Sequence, residues 1–349
     1  MVRTVVFRDA GSDREEFETE LERRGVRLPL QSRAVWARSL GRLSWFVGVE
    51  DASGPVWGFG LVGGWSRALP GHLILRAHKF GRNAPQGAVD AALDALRTAC
   101  RRRVLRVDID AYAPPGSLDT RSALEARGFV WEPPHRTYAD TVLIDLARDE
   151  DAIFRSLHPT ARRHIRVVGK RPVAVRPVTD PSLAPRLDEL VRETYARTGG
   201  RPVAEDWTRW IAFCRDRPDL ARLLGMFRTD VEGPKALLGF VLGYNHGDIG
   251  EYGIAASTRD RELPVPVLYA PAWELIRWAK AQGARTFDFG GIGTGGPDVR
   301  QAGIGDFKRY FNGEVVNVGF EYSLAPSRLR SVAASLLRSG ARLVGAKSA

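Results

Sequence analysis

Several kinds of sequence feature are scarce or missing in this chain, and each absence excludes a class of protein. Only two cysteines occur, Cys100 and Cys214, so a disulfide-stapled scaffold is excluded and a reducing compartment is expected. No apolar run approaches the roughly 18 residues that cross a bilayer. The N-terminal segment turns acidic where a secretory signal would need its apolar stretch, so no signal peptide is expected.

Common catalytic and metal-binding motifs are also missing. The six histidines form no HExxH pattern or close carboxylate–histidine cluster, and no CxxC pair occurs, so no metal site is expected. No GxSxG motif is present, and Cys100 lies in a helical pattern typical of a packed thiol. No zinc finger, helix-turn-helix or RNP sequence occurs, which argues against sequence-specific DNA recognition.

What the chain does contain is length, apolar residues and positive charge. Its 349 residues suggest about two domains, and 44% of them are hydrophobic, enough to bury substantial cores. The formal net charge is +11 at pH 7. Such a surface attracts nucleic acid, anionic lipid or a phosphorylated substrate, unless it simply reflects a basic, solvated exterior. Three stretches are rich in arginine and free of acid, at 95–107, 156–179 and 326–349.

Hydrophobic periodicity predicts the same order of elements in both halves. In the first half the predicted elements are strands at 43–50, 56–64, 72–80 and 104–112, with a helix at 88–103. In the second half they are strands at 236–245, 250–257 and 284–292, with a helix at 271–283. Two landmarks give nearly the same offset, because Gly58-Phe59 falls on Gly239-Phe240 at 181 residues and Asp108 falls on Asp288 at 180 residues. The pattern therefore predicts an internal duplication of one α/β unit, with the segment 151–176 as the linker between the two halves.

A glycine-rich stretch follows the 284–292 strand. It contains a formal GxGxxG at Gly291, Gly293 and Gly296, but Pro297 follows at once where a dinucleotide site needs a long helix. A glycine-rich loop over 290–305 that borders a binding cleft is the favoured interpretation.

Repeated α/β units of this order also suit an N-acetyltransferase-like fold. That fold cradles the pyrophosphate of acetyl-CoA on backbone N–H groups of a glycine-containing loop. The corresponding loop at 258–272 contains three prolines and no glycine, and proline has no N–H to offer. The corresponding loop of the first half has Gly81 and Gly87 but no adjacent glycine pair. An acyl-CoA donor is therefore disfavoured, and no cofactor is expected.

The most informative segment is 271–324. In order, it contains Ala279-Lys280 with Gly283, the strand Phe287-Asp288-Phe289-Gly290-Gly291, and the motif Phe307-Lys308-Arg309-Tyr310-Phe311-Asn312-Gly313. These resemble the A-K-x-x-G helix, the Y/F-D-F/L-G-G strand and the F-K-x-x-F-G-G motif of the Fem family. Members of that family are aminoacyl-tRNA-dependent transferases that build peptidoglycan cross-bridges. Asn312 stands where the last motif has its first glycine, a mild departure because asparagine tolerates positive φ.

Weaker matches extend the resemblance over about residues 28–324. They are Leu30-Gln31-Ser32 with Trp36, Leu105 to Asp108 with Ile109 where proline is usual, Leu157 to Arg166, Glu193-Thr194 with Arg197, and Tyr252-Gly253. The resemblance implies an α/β (α+β) fold of two tandem N-acetyltransferase-like (GNAT) domains. It implies mixed, mostly antiparallel sheets flanked by helices, without the coiled-coil arm of some relatives. The expected domains are 1–150 and 151–324, followed by a basic amphipathic helix over 325–349.

The resemblance implies transfer of an amino acid from an aminoacyl-tRNA ester to an amine, forming an amide bond. It implies catalytic roles for Lys308, near the developing oxyanion, and for Asp108, as the base or the carboxylate that orients the amine. The residues expected to bind the substrate are Arg38, Arg197, Tyr252, Phe307 and Gly291. The residues expected to contact the tRNA backbone are Arg162, Arg163, Arg166 and Lys170.

Several alternatives stay open at this point. The acceptor is a peptidoglycan precursor, lipid-linked or nucleotide-linked, or an amine of a peptide-like secondary metabolite. The other candidate functions are an acyl-CoA-dependent N-acyltransferase of the same fold and a non-catalytic RNA- or membrane-binding module. The C-terminal helix is a candidate for contact with a membrane, with tRNA or with the protein body. A cytoplasmic location is expected.

Overall fold

The chain folds into two compact units. A computed structural model describes residues 2–85, 87–115, 117–132, 139–199, 204–259, 265–292, 299–311 and 314–345, with backbone alone for 299–302 and 338–345. The first unit consists of Met1–Ala139 together with Val318–Ala349, and the second unit is Asp140–Asn317. Among the described residues, no helix is both long and apolar enough to cross a bilayer.

The elements are numbered in chain order. The strands of the described residues are β1 (Arg3–Phe7), β2 (Leu43–Asp51), β3 (Gly54–Trp65), β4 (Leu73–Phe80), β5 (Val104–Tyr112), β6 (Val130–Trp131), β7 (Asp140–Asp145), β8 (Val173–Pro177), β9 (Ala221–Arg228), β10 (Leu237–Asn245), β11 (Ile249–Ser257), β12 (Thr286–Gly291), β13 (Val316–Asn317) and β14 (Gly319–Leu324). The helices are α1 (Ser12–Arg23), α2 (Ala34–Ser39), α3 (Ala88–Ala99), α4 (Arg121–Glu125), α5 (Glu150–Ser156), α6 (Pro159–Val167), α7 (Ala184–Thr198), α8 (Trp207–Asp216), α9 (Tyr269–Ala281), α10 (Val299–Arg309) and α11 (Arg328–Gly345).

Each unit is built on a seven-stranded mixed sheet. The strand orders are β1-β2-β3-β4-β5-β14-β6 and β13-β7-β12-β11-β10-β9-β8. In each sheet one recorded pair is parallel, β4 with β5 and β11 with β12, and the others are antiparallel. The helix that connects each parallel pair, α3 or α9, packs its apolar face against its sheet. This confirms the predicted class of mixed, mostly antiparallel sheets flanked by helices.

The internal repeat is also visible in the strands. Gly58-Phe59 lies in β3 and Gly239-Phe240 lies in β10, which are matching strands of the two sheets. Asp108 and Asp288 likewise lie in β5 and β12, the strands that follow the connecting helices. Both landmarks of the predicted duplication therefore fall on equivalent elements.

One strand of each unit comes from the other half of the chain. Strand β7 pairs with β12 of the second sheet, and β14 pairs with β5 of the first. The compact units consequently divide at residues 139/140 and 317/318, whereas the sequence analysis placed its borders at 150/151 and 324/325. Helix α11, which that analysis set apart as 325–349, is grouped with the first unit.

This exchange of β7 and β14 between the two sheets follows from where their apolar side chains are buried. Val142 and Ile144 of β7 join the core that contains Phe287 and Phe289 of the second unit. Tyr322 of β14 joins the core of the first unit. Alternating apolar residues predict a strand with one buried face, but they do not say which of two similar sheets receives it.

Two segments contain more regular structure than expected. The predicted glycine-rich loop over 290–305 is helical from Val299 onward, and α10 includes both Gly303 and Gly305. Helices α5 and α6 occupy much of the segment at 151–176 that was interpreted as a linker. Glycine lowers intrinsic helix propensity, so tertiary context overrides the local signal in α10.

The Leu30-Gln31-Ser32 motif has a structural role in the first unit. Ser32 is fully buried at the end of a 3-10 turn, and its hydroxyl accepts a hydrogen bond from the Gly60 N–H of β3 at 2.9 Å. A Cβ atom on Gly60 would lie 2.4 Å from the Ser32 Cα. We therefore expect Gly60→Ala to destabilise the protein by about 2 kcal/mol or more, because backbone must move.

Gly64 of the same strand is the matched control for this prediction. It is exposed, and an added Cβ would meet nothing within 4 Å. Chemical denaturation of the two alanine variants measures the difference in the free energy of unfolding. Equal stability of the two variants would contradict the close packing of β3 on the Ser32 turn.

Candidate active site

The candidate site begins where the two parallel strands of the second sheet separate. Pairing between β11 and β12 runs from Ile249/Thr286 to Glu251/Asp288, yet the strands continue to Ser257 and Gly291. Beyond the last pair, β12 follows β7, where Gly291 lies opposite Thr141. The parallel strands therefore diverge after Glu251 and Asp288.

The Phe287–Gly291 motif explains this divergence. Gly290 has a φ of +67°, a conformation that residues with a Cβ rarely adopt, and the register with β7 shifts between Asp288 and Gly291. The buried Asp288 carboxylate accepts hydrogen bonds from the Gly290 N–H at 2.8 Å and from the Thr141 hydroxyl at 2.5 Å. Asp288 and Gly290 thus fix the bend that opens the sheet.

Lys308 lies at this opening. Its Nζ donates a 2.6 Å hydrogen bond to the Gly291 carbonyl oxygen of β12 and lies 5.9 Å from the ring centroid of Tyr252 on β11. Only 8% of the residue is exposed. Helix α10 therefore places one ammonium group against both diverging strands. Lys308, Tyr252 and Gly291, which the sequence analysis named separately, are brought together here.

The charge of Lys308 is held in a mostly buried setting. Burial lowers the pKa of its ammonium group to about 8, although the Asp288 and Glu251 carboxylates oppose that change. Glu251 is itself buried and lies 2.6 Å from Nε2 of the fully buried His246. Lysine with a pKa near 8 is still mainly protonated at neutral pH, so the site contains a cation in a poorly solvated position.

Tyr252, whose ring lies 5.9 Å from the ammonium group, belongs to a cluster of aromatic rings. Phe307 lies next to Lys308 in the chain, with its ring 4.9 Å from Tyr269, 5.3 Å from Phe311 and 6.1 Å from Tyr252. Burial raises the pKa of Tyr269 to about 12 and raises that of Tyr252 further, so both phenols stay neutral. An apolar wall of this kind lowers the local dielectric and strengthens the field of one fixed charge.

Arg197 lies at the far end of β11. Its guanidinium donates to the Ser257 carbonyl oxygen at 2.9 Å, and the neighbouring Thr194 hydroxyl accepts from the Ser257 N–H at 3.0 Å. Burial and the nearby Arg259 cation lower the pKa of Arg197. The Glu193-Thr194…Arg197 motif therefore ties helix α7 to the strand and places two arginines near each other.

The four residues assigned to tRNA contact form a cluster of their own. They lie on α6 and on the 3-10 turn Val168–Lys170 that follows it, and they line one cavity of about 390 Å³: Arg162, Arg163, Arg166 and Lys170. Arg163, Arg166 and Lys170 are exposed. Pro159 and Val167 complete the cavity lining, so it contains four cations and no acid.

The remaining two predicted residues belong to the first unit. Asp108 is buried in β5, where its carboxylate accepts a hydrogen bond from Arg106 and lies 3.8 Å from Arg76. Burial raises the pKa of Asp108, and both arginines oppose that change. Arg38 forms an ion pair with Glu15 at the surface.

Sequence reasoning missed several residues near the opening and one beside Arg197. Glu251, His246, Tyr269 and Arg259 were not singled out, since each occurs in an ordinary strand, turn or helix pattern. The parallel pairing of Glu251 with Asp288, the second repeat landmark, is the signal that places Glu251 near the motif. Residues 260–264 of the proline-rich loop, 293–298 of the glycine-rich stretch and Asn312-Gly313 of the lysine motif lie outside the described residues.

The fold and the site together define a class of protein. Residues 155–309 match the family model of the acetyltransferase (GNAT) domain, and this match contains the diverging strands and Lys308. The first unit repeats the same arrangement of strands and connecting helix. The chain thus has a tandem GNAT fold.

Solved structures share this fold over most of their length. The chain is similar to FemX, with a TM-score of 0.69 and 16% identity over 85% of this chain and 92% of FemX. It is also similar to L-PGS from Bacillus licheniformis, with a TM-score of 0.51 and 12% identity over 95% and 97% of the two chains. A tandem GNAT protein from the clavulanic acid biosynthesis pathway gives a TM-score of 0.50 and 12% identity over 94% and 99%. The predicted resemblance to the Fem family is confirmed at the level of the fold.

The chain matches no curated protein sequence.

Proposed function

We propose that this protein is an aminoacyltransferase that moves an amino acid from aminoacyl-tRNA to an amine. The observation that carries the proposal is the buried Lys308 ammonium at the point where β11 and β12 diverge, in a second unit that also presents a cationic cavity. FemX, the lysine motif and the tandem GNAT fold support the same class of reaction.

The reaction needs modest chemical assistance. The amine nitrogen attacks the ester carbonyl of the aminoacyl-tRNA, the new C–N bond forms, and the C–O bond to the ribose breaks. The amine loses a proton, and the ribose oxygen leaves as a hydroxyl after gaining one. Since the ester is already activated, holding both reactants in one cleft supplies much of the rate. Stabilisation of the tetrahedral oxyanion supplies the rest.

Lys308 is proposed to stabilise that oxyanion. A point charge in an apolar wall acts more strongly than one in water, and it is already oriented by the Gly291 carbonyl before the substrate binds. Gly291, Tyr252 and Phe307 are proposed to shape the subsite for the transferred group. The Gly291 carbonyl and the Tyr252 ring lie next to the ammonium, and Phe307 packs against Tyr252.

The other predicted residues keep proposed roles in binding. Arg197, with Arg259 nearby, is proposed to hold an anionic part of the acceptor, such as a phosphate. Arg38 is proposed as a second contact to the acceptor and would exchange Glu15 for it. Asp108 is proposed as the base or as the carboxylate that orients the amine, since burial raises its pKa although Arg106 and Arg76 oppose that change.

The proposed donor is tRNA because of the cavity lined by Arg162, Arg163, Arg166 and Lys170. Adjacent cations without a carboxylate suit the phosphodiester backbone of RNA, because they neutralise its phosphates and release the counterions condensed on it. The proposed acceptor is lipid-linked, nucleotide-linked or a secondary-metabolite amine. L-PGS from Bacillus licheniformis and the clavulanic acid pathway protein share the fold. Use of aminoacyl-tRNA implies a cytoplasmic location.

An assay with a labelled donor tests the proposal. We expect transfer from labelled aminoacyl-tRNA to a candidate amine, and loss of that transfer when the tRNA is digested by ribonuclease before the reaction. No turnover is expected with acetyl-CoA. Transfer from acetyl-CoA that survives ribonuclease would reverse the assignment in favour of an acyl-CoA-dependent N-acyltransferase.

The pH profile separates two possible roles of Lys308. If the ammonium stabilises the oxyanion, kcat/KM should fall as the pH rises above about 8, since deprotonation removes the charge. Lys308→Arg should retain some activity and lose this alkaline limb, because arginine stays charged throughout the accessible range. A rate that instead rises through pH 8 and loses that rise in Lys308→Arg would identify Lys308 as a base.

A further inference from the structure

The C-terminal helix α11 presents its larger apolar side chains to the outside. Leu329 is 85% exposed, Val332 58% and Leu336 68%. At about 100° per residue these three lie on one side of the helix, because they are spaced by three, four and seven positions. Aliphatic side chains grouped in this way mark an interaction surface.

The opposite side of α11 faces the first unit. Ala334 is fully buried and lies roughly 160° around the helix from Leu336. The helix therefore packs with a small residue and leaves its leucines outside. Packing against the body, one of the alternatives for this segment, accounts for Ala334 and leaves the apolar stripe unexplained.

The contact of α11 with the unit adds positive charge beside the stripe. The Arg330 guanidinium donates to the backbone carbonyl oxygens of Arg101 and Arg102, in the turn between α3 and β5. The side chains of Arg101, Arg102 and Arg103 are all exposed. Two of the three acid-free stretches of the sequence, 95–107 and 326–349, thus meet in one place.

We propose that this tail surface, formed by α11 and the turn Arg101–Arg103, docks the protein peripherally on an anionic phospholipid bilayer. An interfacial helix buries an apolar face at the headgroup boundary while basic residues beside it attract acidic lipids. The segment 325–349 contains five basic residues and no acid, so its charge complements such a membrane.

RNA is the alternative binding partner for a basic surface, and the exposed apolar stripe argues against it. Phosphate contacts use arginine and lysine, and bases stack on aromatic rings, whereas the exposed stripe is aliphatic. The tail surface therefore has chemistry that an RNA backbone does not use and that a bilayer does. This inference is independent of the acyl donor and holds for any catalytic assignment of the second unit.

Vesicle flotation of the full chain tests the proposal. We expect the protein to float with vesicles that contain phosphatidylglycerol and not with phosphatidylcholine alone, and we expect added salt to weaken the binding. The triple variant Leu329→Ser, Val332→Ser, Leu336→Ser should lower partitioning about tenfold or more. Replacing Arg101, Arg102 and Arg103 together by Gln should also lower it about tenfold or more.

Two controls keep the outcome decisive. Leu118→Ser removes an exposed leucine outside the tail surface and should leave flotation unchanged. Thermal unfolding of every variant should match the parent, because the changed side chains are exposed. Absence of flotation, or equal flotation on both kinds of vesicle, would overturn the proposal. So would a serine triple that loses only tRNA binding or only self-association, because the occupant would then be RNA or a second copy of the chain.

Discussion

Lys308→Ala should lower kcat for aminoacyl transfer about 10²- to 10³-fold, the usual effect of removing one donor to an oxyanion. The affinity for aminoacyl-tRNA should change little, because the proposed tRNA contacts are formed by other residues. Single-turnover rates at saturating tRNA, together with a separate binding titration, measure the two quantities. The effect is large because the ammonium is mostly buried, is hydrogen-bonded to the Gly291 carbonyl and lies beside the Tyr252 ring.

A further variant separates the effect of Lys308 on catalysis from its effect on folding. The pKa of Lys308 is 10.5 when the side chain is free in water and about 8 in the folded protein. Between these two pH values the unfolded chain binds more protons than the folded one, so the free energy of unfolding rises with pH across that window. At pH 7 the buried charge therefore opposes folding by about 3 kcal/mol. Lys308→Met removes this cost and should have an equal or higher Tm while being as inactive as the alanine variant.

Lys308→Arg should restore only part of the rate, since a planar guanidinium cannot occupy the position of a point charge in the same geometry. A different pattern would change the assignment. If Lys308→Ala keeps nearly full kcat but raises KM for the acceptor, the lysine holds a substrate anion and does not stabilise the oxyanion. If neither kcat nor KM changes, the resemblance fails at its most specific motif.

The repeated fold could be predicted from the sequence because its signals are local. The spacing of apolar residues identifies strands such as β10 and β11 and helices such as α3 and α9, and each was expected within a few residues. The exchange of β7 and β14 could not be predicted in this way. It depends on which of two similar sheets offers an edge, a property of the folded chain and not of either segment.

The candidate site was likewise predictable only in part from the sequence. Gly290 and Lys308 are visible in the sequence because a motif needs them at fixed spacing, and the structure brings that motif to the point where the strands diverge. Glu251 and His246 are not visible, because their pairing depends on a strand neighbour rather than on a sequence neighbour. Helix α10 was missed for a related reason, since two glycines conceal a helix that its tertiary environment supports.

The arginine cavity should account for most of the affinity for tRNA. Replacing Arg163, Arg166 and Lys170 together by Gln should weaken tRNA binding about 10²- to 10³-fold at roughly 0.1 M salt, because each lost phosphate contact forfeits the release of about one counterion. The slope of log affinity against log salt should become shallower by about 2 to 3 for the same reason. Filter binding or fluorescence anisotropy over a series of salt concentrations measures both quantities.

The matched control for this triple variant is the replacement of Arg101, Arg102 and Arg103 by Gln. It lowers the formal net charge by the same three units, and it changes three exposed cations in the first unit. If tRNA recognition resides in the cavity, the control should keep tRNA affinity within about twofold to threefold, because only the long-range field of the protein changes. It should nevertheless lose binding to anionic vesicles, which the cavity variant should retain. Equal loss of tRNA affinity in both triples would mean that net charge, and not the cavity formed by α6 and the turn after it, attracts the donor.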